Sequence, residues 1–493
     1  MIIRFKGEKG IMNIKNSFGS KTEFVELKAN DIKKINQSKN MLTDDTRPIP
    51  KNERDWSTKN YINLWTGILV SIPVYMMASS LLSIGMTWYQ AFFVCILGHT
   101  LVLIPSILLG HFGTKYGASF PVLSKMVFGP NGTSIPTLIR AFMGCLWFGI
   151  QSWVGGVALD SIIGVIVPVW SSLSIHGILS FLIFIIFNIY IGYHGSKAIK
   201  YLEDFSAPIL IILSAVVIIW ALYVCGGFRG IFSTEVAGTN NSDFWKLFFP
   251  SLTAMIAFDS TIALNFSDYT RHAKEQKSQA IGQLIGAPIM TAFIVFVGIC
   301  GTAGSEVAFG EAFWDPSILV SKFTNPIIVI VFSIFIILAT LTTNVACNLA
   351  SAGVIFSTIF SKHINYKNAI IVVGFIGLLF MPWKLVANPN SYVYIINGTL
   401  AVLLGPITGI CIATYWVQYK TELKVADLYI QDKGEYYYYN GWNITAISIL
   451  ICASLAILIC KYISGLAWVY DSSYLIGCII TFSLYCLVNF KRK

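Results

Sequence analysis

A run of about 20 apolar residues is long enough, as a helix, to cross a hydrocarbon core of roughly 30 Å. This sequence holds about twelve such runs, near 61–84, 88–109, 136–166, 173–193, 205–225, 246–267, 281–303, 325–356, 369–385, 392–417, 442–462 and 467–489. A chain of 493 residues that is 55% hydrophobic and only 12% charged is not a soluble globular protein. In lipid every backbone polar group must be satisfied internally, so the runs are expected to be helices. The fold class is therefore an all-α polytopic membrane protein. The net charge of +10 does not point to nucleic acid, because the basic residues are confined to short loops and the ends. Lys197, Lys200, Arg271, Lys274, Lys277, Lys362, Lys367, Lys420, Lys424, Lys433 and the terminal Lys491-Arg492-Lys493 all fall on one side of the predicted spans. The positive-inside rule then places both termini in the cytoplasm. Residues 1–58 are polar, without periodicity, and are expected to be a disordered tail. No apolar h-region follows Met1, so the first span is expected to be retained, and Met12 offers an alternative start. The ten cysteines show no metal-ligand or disulfide spacing and read as small hydrophobes.

Polar groups inside these runs mark where function is to be sought. The eighth run contains Ala339-Thr-Leu-Thr-Thr-Asn-Val-Ala-Cys-Asn348. Thr342 and Thr343 can bond back to carbonyls one turn earlier. Asn344 and Asn348, at i, i+4 on one face, cannot satisfy themselves so easily, and helix glue and a ligand site are both open readings. In the first run Gly67, Val70, Ser71 and Pro73 cluster at mid-membrane, where proline removes a backbone donor and frees carbonyls. The third run sets Trp147 and Gln151 one turn apart, a ring beside a carboxamide. The sixth carries Asp259, a carboxylate at membrane depth. Interrupted first and sixth helices at matching positions of two five-helix halves point to a secondary transporter's binding site.

Several stretches together resemble the nucleobase–cation symport family, the transporters of cytosine, uracil, allantoin and hydantoins. They are Arg47-Pro-Ile-Pro with Arg54-Asp-Trp56, Gly113-Thr-Lys-Tyr-Gly-Ala-Ser-Phe-Pro-Val-Leu123 and Leu146-Trp-Phe-Gly-Ile-Gln-Ser-Trp153, then Ala263-Leu-Asn-Phe-Ser-Asp-Tyr-Thr-Arg271, Met381-Pro-Trp383 and Asp427-Leu-Tyr429. The chain is most similar to bacterial allantoin and hydantoin permeases. The resemblance implies two inverted five-helix repeats, about 61–225 and 246–417, plus two further helices at about 442–489, within a transporter domain of 59–493. Discontinuous helices 1 and 6 and alternating access come with it. It implies a sodium site of the Gly67, Val70 and Ala339 carbonyls with the Thr342 and Thr343 hydroxyls, all oxygen, as a hard cation requires. It further implies that Trp147 stacks on a planar substrate while Gln151 and Asn348 hydrogen-bond its edges. Ser71 replaces the family's usual carboxamide. Asp259 stands where the family commonly has a tryptophan, and Ala257 where it has a helix-breaking glycine, so the second wall of an aromatic sandwich is expected to be missing.

These readings converge on a multi-pass permease of the cell membrane that imports a small nitrogen heterocycle with sodium or protons, without a cofactor and without enzymatic chemistry. Asp259 admits two roles: contact with a cationic aminopyrimidine or thiamine-like ring, or carriage of a coupling proton. A non-transporting nutrient sensor on the same fold is the remaining alternative. The sequence assigns no oligomeric state.

Overall fold

The computed structural model describes residues 24–39, 41–42, 46–234, 244–360 and 363–490. The first 23 residues of the expected tail, Lys362 and the terminal basic triplet lie outside them. Among the described residues, β-structure is limited to two isolated bridges, Trp56 with Ala273 and Tyr439 with Trp442. In chain order the helices used below are α1 (Ala29–Asn36), α2 (Thr58–Leu69), α3 (Ile72–Ile84), α4 (Trp88–Tyr116), α5 (Phe120–Phe128), α6 (Ser134–Ile166), α7 (His176–Tyr193) and α8 (Ser196–Cys225). They continue as α9 (Phe244–Leu264), α10 (Gln276–Phe309), α11 (Pro326–Ile359), α12 (Tyr366–Leu379), α13 (Ser391–Gln418), α14 (Val425–Tyr429), α15 (Ile444–Cys460) and α16 (Ser473–Phe490). Eight are long and apolar enough to cross a membrane, α2 and α3 form one bent span, and α12, α15 and α16 are shorter apolar helices. Each of the twelve expected spans is thus a helix or a helix pair.

The first span is broken as expected, with a bend of 57° between α2 and α3. Val70 and Ser71 leave the helical region, and the Ser71 N–H turns back to Leu69 O at 2.7 Å. Pro73 sits in the first turn of α3, where its missing N–H costs nothing. It starts a new helix and so does not merely kink an old one. The sixth span differs from expectation. α9 runs unbroken to Leu264, and the interruption falls at Asn265–Phe266 before a single turn, Ser267–Thr270. Alanine at 257 sustains the helix that a glycine would weaken, and the Ser260 hydroxyl bonds back to Ala257 O at 2.8 Å.

The eighth span, α11, stays helical but loosens to a π-turn over Asn344–Ala350, a device that inserts one residue and shifts the faces presented on either side. α11 touches both α2 and α3 and packs most heavily on α6. Close approach elsewhere requires glycine. A side chain at Gly113 of α4 would fall 2.6 Å from Ser267 O, so α4 lies directly against the turn that ends α9.

The expectation of a structureless tail does not hold for its second half. Ile35 of α1 is buried, and Lys34 pairs with Asp427 of α14 at 2.6 Å. The Arg54 guanidinium donates to Ile49 O and Thr114 O, both at 2.8 Å. Trp56 stacks on His272 with ring centroids 5.1 Å apart. Apolar residues and a few long polar ones, scattered without period, dock one by one onto neighbouring loops, which composition alone does not reveal.

Lys125 of α5 is wholly buried, and its ammonium donates to the carbonyls of Asp427, Leu428 and Ile430. It therefore closes the end of α14, whose last carbonyls have no intrahelical donors. Burial lowers the ammonium to about 7, against the pull of Asp427 and Asp432. Replacing Lys125 by Met leaves three carbonyls without a donor and should cost about 3 kcal/mol, read as a lower thermal unfolding midpoint. Because the folded state binds this proton less tightly than the unfolded one, the wild type should gain on Lys125→Met as pH rises from about 7 towards the unfolded value near 10.4.

Candidate functional site

The break between α2 and α3 opens beside α6, α9 and α11, and residues of the first, third, sixth and eighth spans line one shared, half-open hollow. Ile68 and Ser71 line it from the first span, Trp147 and Gln151 from α6, Phe258, Thr261 and Ile262 from α9, and Thr343, Cys347 and Asn348 from α11. Four of the five residues expected to contact a substrate, Ser71, Trp147, Gln151 and Asn348, therefore meet in one place.

Asp259 does not join them. Phe258, Thr261 and Ile262 share one face of α9 at i, i+3, i+4, and a helix turns about 100° per residue, which carries Asp259 away from the hollow. Its carboxylate is fully buried against His99 of α4. One residue earlier on α9, Phe258 lines the hollow instead. The Phe258 ring stands 4.9 Å from Trp147, edge to face at 83°, a favourable aromatic arrangement. Tyr392 of α13 closes on Trp147 at 5.9 Å and 89°, and its hydroxyl donates to Pro73 O at 3.0 Å.

The two asparagines of α11 divide the two readings left open. Asn344 is fully buried, and its Nδ2 lies 3.0 Å from Ser152 Oγ, 3.2 Å from Phe148 O and 3.3 Å from Asn188 Oδ1. It binds α11 to α6 and α7. Asn348 donates to Asn344 Oδ1 at 3.0 Å and leaves its own carbonyl oxygen to the hollow. On the facing helix Gln151 Oε1 accepts from the Thr343 hydroxyl at 2.7 Å, which leaves its NH₂ to donate. The hollow is thus lined by two carboxamides, each with hydrogen-bonding capacity beyond its contact to the protein, beside two rings. The indole N–H of Trp147 is buried without a partner among the described residues.

Two further observations bear on a cation. With the Ser71 N–H committed to Leu69 O, and α3 beginning its ladder with Tyr75 N to Ser71 O, the carbonyls of Gly67 and Val70 fall outside both helical ladders. On α11, Ala339 O lies 3.0 Å from Thr343 Oγ1 and 3.4 Å from Thr342 Oγ1. Thr342 Oγ1 also donates to Leu338 O at 3.0 Å, so both hydroxyls make the back-bonds open to a helical threonine. Among the described residues no cluster of His, Cys, Asp and Glu could hold a metal ion.

Sequence reasoning missed Phe258, Thr261, Ile262, Ile68 and Cys347. It also missed Arg140, a fully buried cation on α6 that donates to Cys347 O at 3.0 Å and Asn265 Oδ1 at 3.4 Å. Its signal was present, since an arginine inside a span asks for a named partner.

Residues 48–477 match the profile of a family described as permease for cytosine/purines, uracil, thiamine, allantoin. The chain is 33% identical to the allantoin permease of Bacillus subtilis (strain 168) over 462 residues, covering 92% of this chain and 94% of that one. It is also 33% identical to the purine-uracil permease NCS1 of Arabidopsis thaliana, over 91% of this chain and 78% of the relative. In fold it is similar to Mhp1, a nucleobase–cation-symport-1 family transporter solved in a closed conformation with bromovinylhydantoin bound, with a TM-score of 0.77, 22% identity, and 92% of this chain and 96% of that chain covered.

The division between the asparagines is open to measurement. Asn344→Ala strips the donor from three acceptors and should cost about 2 kcal/mol or more, lowering the unfolding midpoint by several degrees. Asn348→Ala removes a single donor, from Asn344 Oδ1, and should cost only about 1 kcal/mol while abolishing stabilisation by a ring ligand.

Proposed function

The chain belongs to the family of permeases for cytosine/purines, uracil, thiamine and allantoin, and on that footing we propose that it imports an uncharged planar nitrogen heterocycle together with a cation. The observation that carries this reading is the meeting of the Trp147 and Phe258 rings with the Gln151 and Asn348 carboxamides in one hollow. A flat ring stacks on Trp147, its ring carbonyl accepts from Gln151, and its ring N–H donates to Asn348. Allantoin, hydantoin and uracil each carry adjoining N–H and C=O groups of this kind. An added NH₂ or a lost N–H leaves one carboxamide unpaired in a desolvated site, the basis of strong discrimination.

In this reading Thr342, Thr343 and Ala339 join Gly67 and Val70 in holding sodium. Because Thr343 also touches Gln151, the ion and the ring share one hydroxyl, which gives each a stake in the other's binding. The basic loops support an orientation with both termini in the cytoplasm. Residues 61–225 and 246–417 form the two repeats, and the mouth of the hollow alternates between the membrane's two sides. A cationic aminopyrimidine or thiamine-like cargo is less well served, since the carboxylate that would meet it lies behind Phe258.

Thermal-shift screening of the purified protein with allantoin, hydantoin, uracil, cytosine, purines and thiamine, in sodium and in choline, tests the reading. An uncharged ring should raise the midpoint, and sodium should strengthen the effect. Thr343→Ala should weaken both ring and sodium binding at least tenfold, whereas Thr342→Ala should weaken sodium more than ring. Labelled counterflow in proteoliposomes separates a carrier from a sensor, which binds without exchange. Absence of any ring-dependent shift overturns the proposal.

A further inference from the structure

We propose that His99 and Asp259 form a proton-binding site, separate from the ring cavity, that makes closure of the carrier depend on one proton. The inference rests on the transport reading above and adds a second coupling ion to it. His99 is the twelfth of the 29 residues of α4 and Asp259 the sixteenth of the 21 of α9, so both stand well inside their spans. Both side chains are fully buried, and Nδ1 of the imidazole hydrogen-bonds Oδ2 of the carboxylate. Asp259 Oδ1 and His99 Nε2 have no partner among the described residues.

Counting protons fixes what this pair can do. A neutral imidazole beside a carboxylate carries one negative charge. One added proton makes the pair neutral, whether written as imidazolium–carboxylate or as imidazole–carboxylic acid. A second makes it positive. An unpaired charge sealed in an apolar interior costs several kcal/mol, and the neutral pair avoids it. The closed carrier therefore holds the neutral, once-protonated pair. Loss of that proton breaks one N–H or O–H bond, leaves the pair negative, and requires water to reach it.

The charged and titratable groups around the pair leave it to itself. On α4 the Cys95 thiol, one turn away, donates to Met255 Sδ at 3.6 Å. Across from α9, Tyr392 donates to Pro73 O and Tyr394 lies 3.0 Å from Ser251 Oγ. Further along α4, His111 bonds to the Tyr415 hydroxyl at 2.8 Å and Lys115 to Glu422 at 2.6 Å. Tyr75 of α3 packs at Gly301 beside Cys300 on the outer part of α10. Lys246, Lys277 and Glu306 lie near the ends of α9 and α10.

The pair also touches the cavity wall. The Phe258 ring stands 6.0 Å from the His99 ring, edge-on at 78°, and 4.9 Å from Trp147. Phe258 separates the two sites, and it is the residue next to Asp259 on α9. A movement of Phe258 that admits or releases a ring opens a path for water to the carboxylate. In the import cycle the pair takes its proton while the hollow faces outward and releases it when the hollow faces the cytoplasm.

The test uses the full chain in liposomes with labelled allantoin, sodium equal on both sides of the membrane and the membrane potential clamped. At one proton per solute, an inward gradient of one pH unit sustains about tenfold accumulation. Wild type should approach that level, and Asp259→Asn, which keeps a hydrogen-bonding partner for His99 but no titratable proton, should fall to the level seen without a gradient. Counterflow by Asp259→Asn should stay within about twofold of wild type, since exchange never requires the proton to leave; a purely structural pair would lower both together. Working counterflow in a wild type indifferent to the gradient, or gradient-driven accumulation by Asp259→Asn, overturns the inference and leaves the proposed function standing. If no ring is exchanged at all, the proposed function fails, and infrared titration of the substrate-free protein decides about the pair. A carboxyl or carboxylate band present in wild type, absent in Asp259→Asn and displaced in its pH midpoint by His99→Gln supports a proton site. A spectrum unchanged by either substitution overturns it.

Discussion

A peptide group released from its helix inside hydrocarbon must find another partner or face an ion or ligand. This chain releases several at the same depth. At Val70–Ser71 the chain takes back what it can: the Ser71 N–H turns to Leu69 O, and the Tyr392 hydroxyl reaches across to Pro73 O. The carbonyls of Gly67 and Val70 are left outside either ladder. Across the hollow the π-turn in α11 loosens a second stretch of backbone, and Arg140 meets Cys347 O there. Polar capacity is concentrated where the two interruptions face each other, and the cavity lies between them.

The same constraint sorts the intramembrane side chains. Ser106, Gln283 and Gln279 satisfy one another in a buried chain from α4 to α10, with Ser106 Oγ 2.6 Å from Gln283 Oε1. Asn188 and Asn344 do the same between α7 and α11. These groups are spent on cohesion between helices, where small-residue packing and hydrogen bonds replace the missing hydrophobic drive. Gln151 and Asn348 differ because each gives one atom to the protein and keeps another for the hollow. Half-satisfied carboxamides next to aromatic rings are what the proposed ring site is built on.

Much of this was legible in the sequence. Span length and polarity gave the helices, and Gly67-Ile-Leu-Val70-Ser71-Ile-Pro73 gave the break. Helical spacing brought Trp147 and Gln151 onto one face. The contents of α9 were read less well, for a reason of scale. A charge at membrane depth draws attention, so Asp259 was assigned to the cavity and Phe258 passed over, yet one residue on a helix is a rotation of about 100°. The i, i+3, i+4 set of Phe258, Thr261 and Ile262 carries the correct phase. The partner of Asp259 was hidden differently: His99 is 160 residues away in the chain, and a single sequence does not encode which distant helix lies alongside. The docking of residues 24–39 and 46–56 was illegible because it rests on single anchors, Ile35, Arg54 and Trp56, without a repeating pattern.

Those anchors also explain why motifs far from the cavity belong to the same machine. Asp268, just beyond α9, accepts from the Phe120 N–H at 2.6 Å at the start of α5 and from Asn265 Nδ2 at 3.0 Å, and Asn265 in turn meets Arg140 of α6. Trp56, at the entrance to α2, bonds its N–H to His272 O at 3.0 Å, so the first and sixth spans are joined where they leave the membrane. Burial lowers the His272 imidazole to about 4, with Arg271 adding to the effect, which keeps it neutral as a stacking partner for Trp56. A carrier must break and remake whatever closes its far end. Hydrogen bonds to groups that water can solvate exchange at a net cost of about 1 kcal/mol each, whereas parting an equally extensive apolar seam exposes area at about 25 cal/mol per Å². In the proposed function, polar latches at one face and an aromatic, half-satisfied wall at the centre are therefore complementary: the first lets the halves separate, and the second makes the separation depend on what the hollow contains.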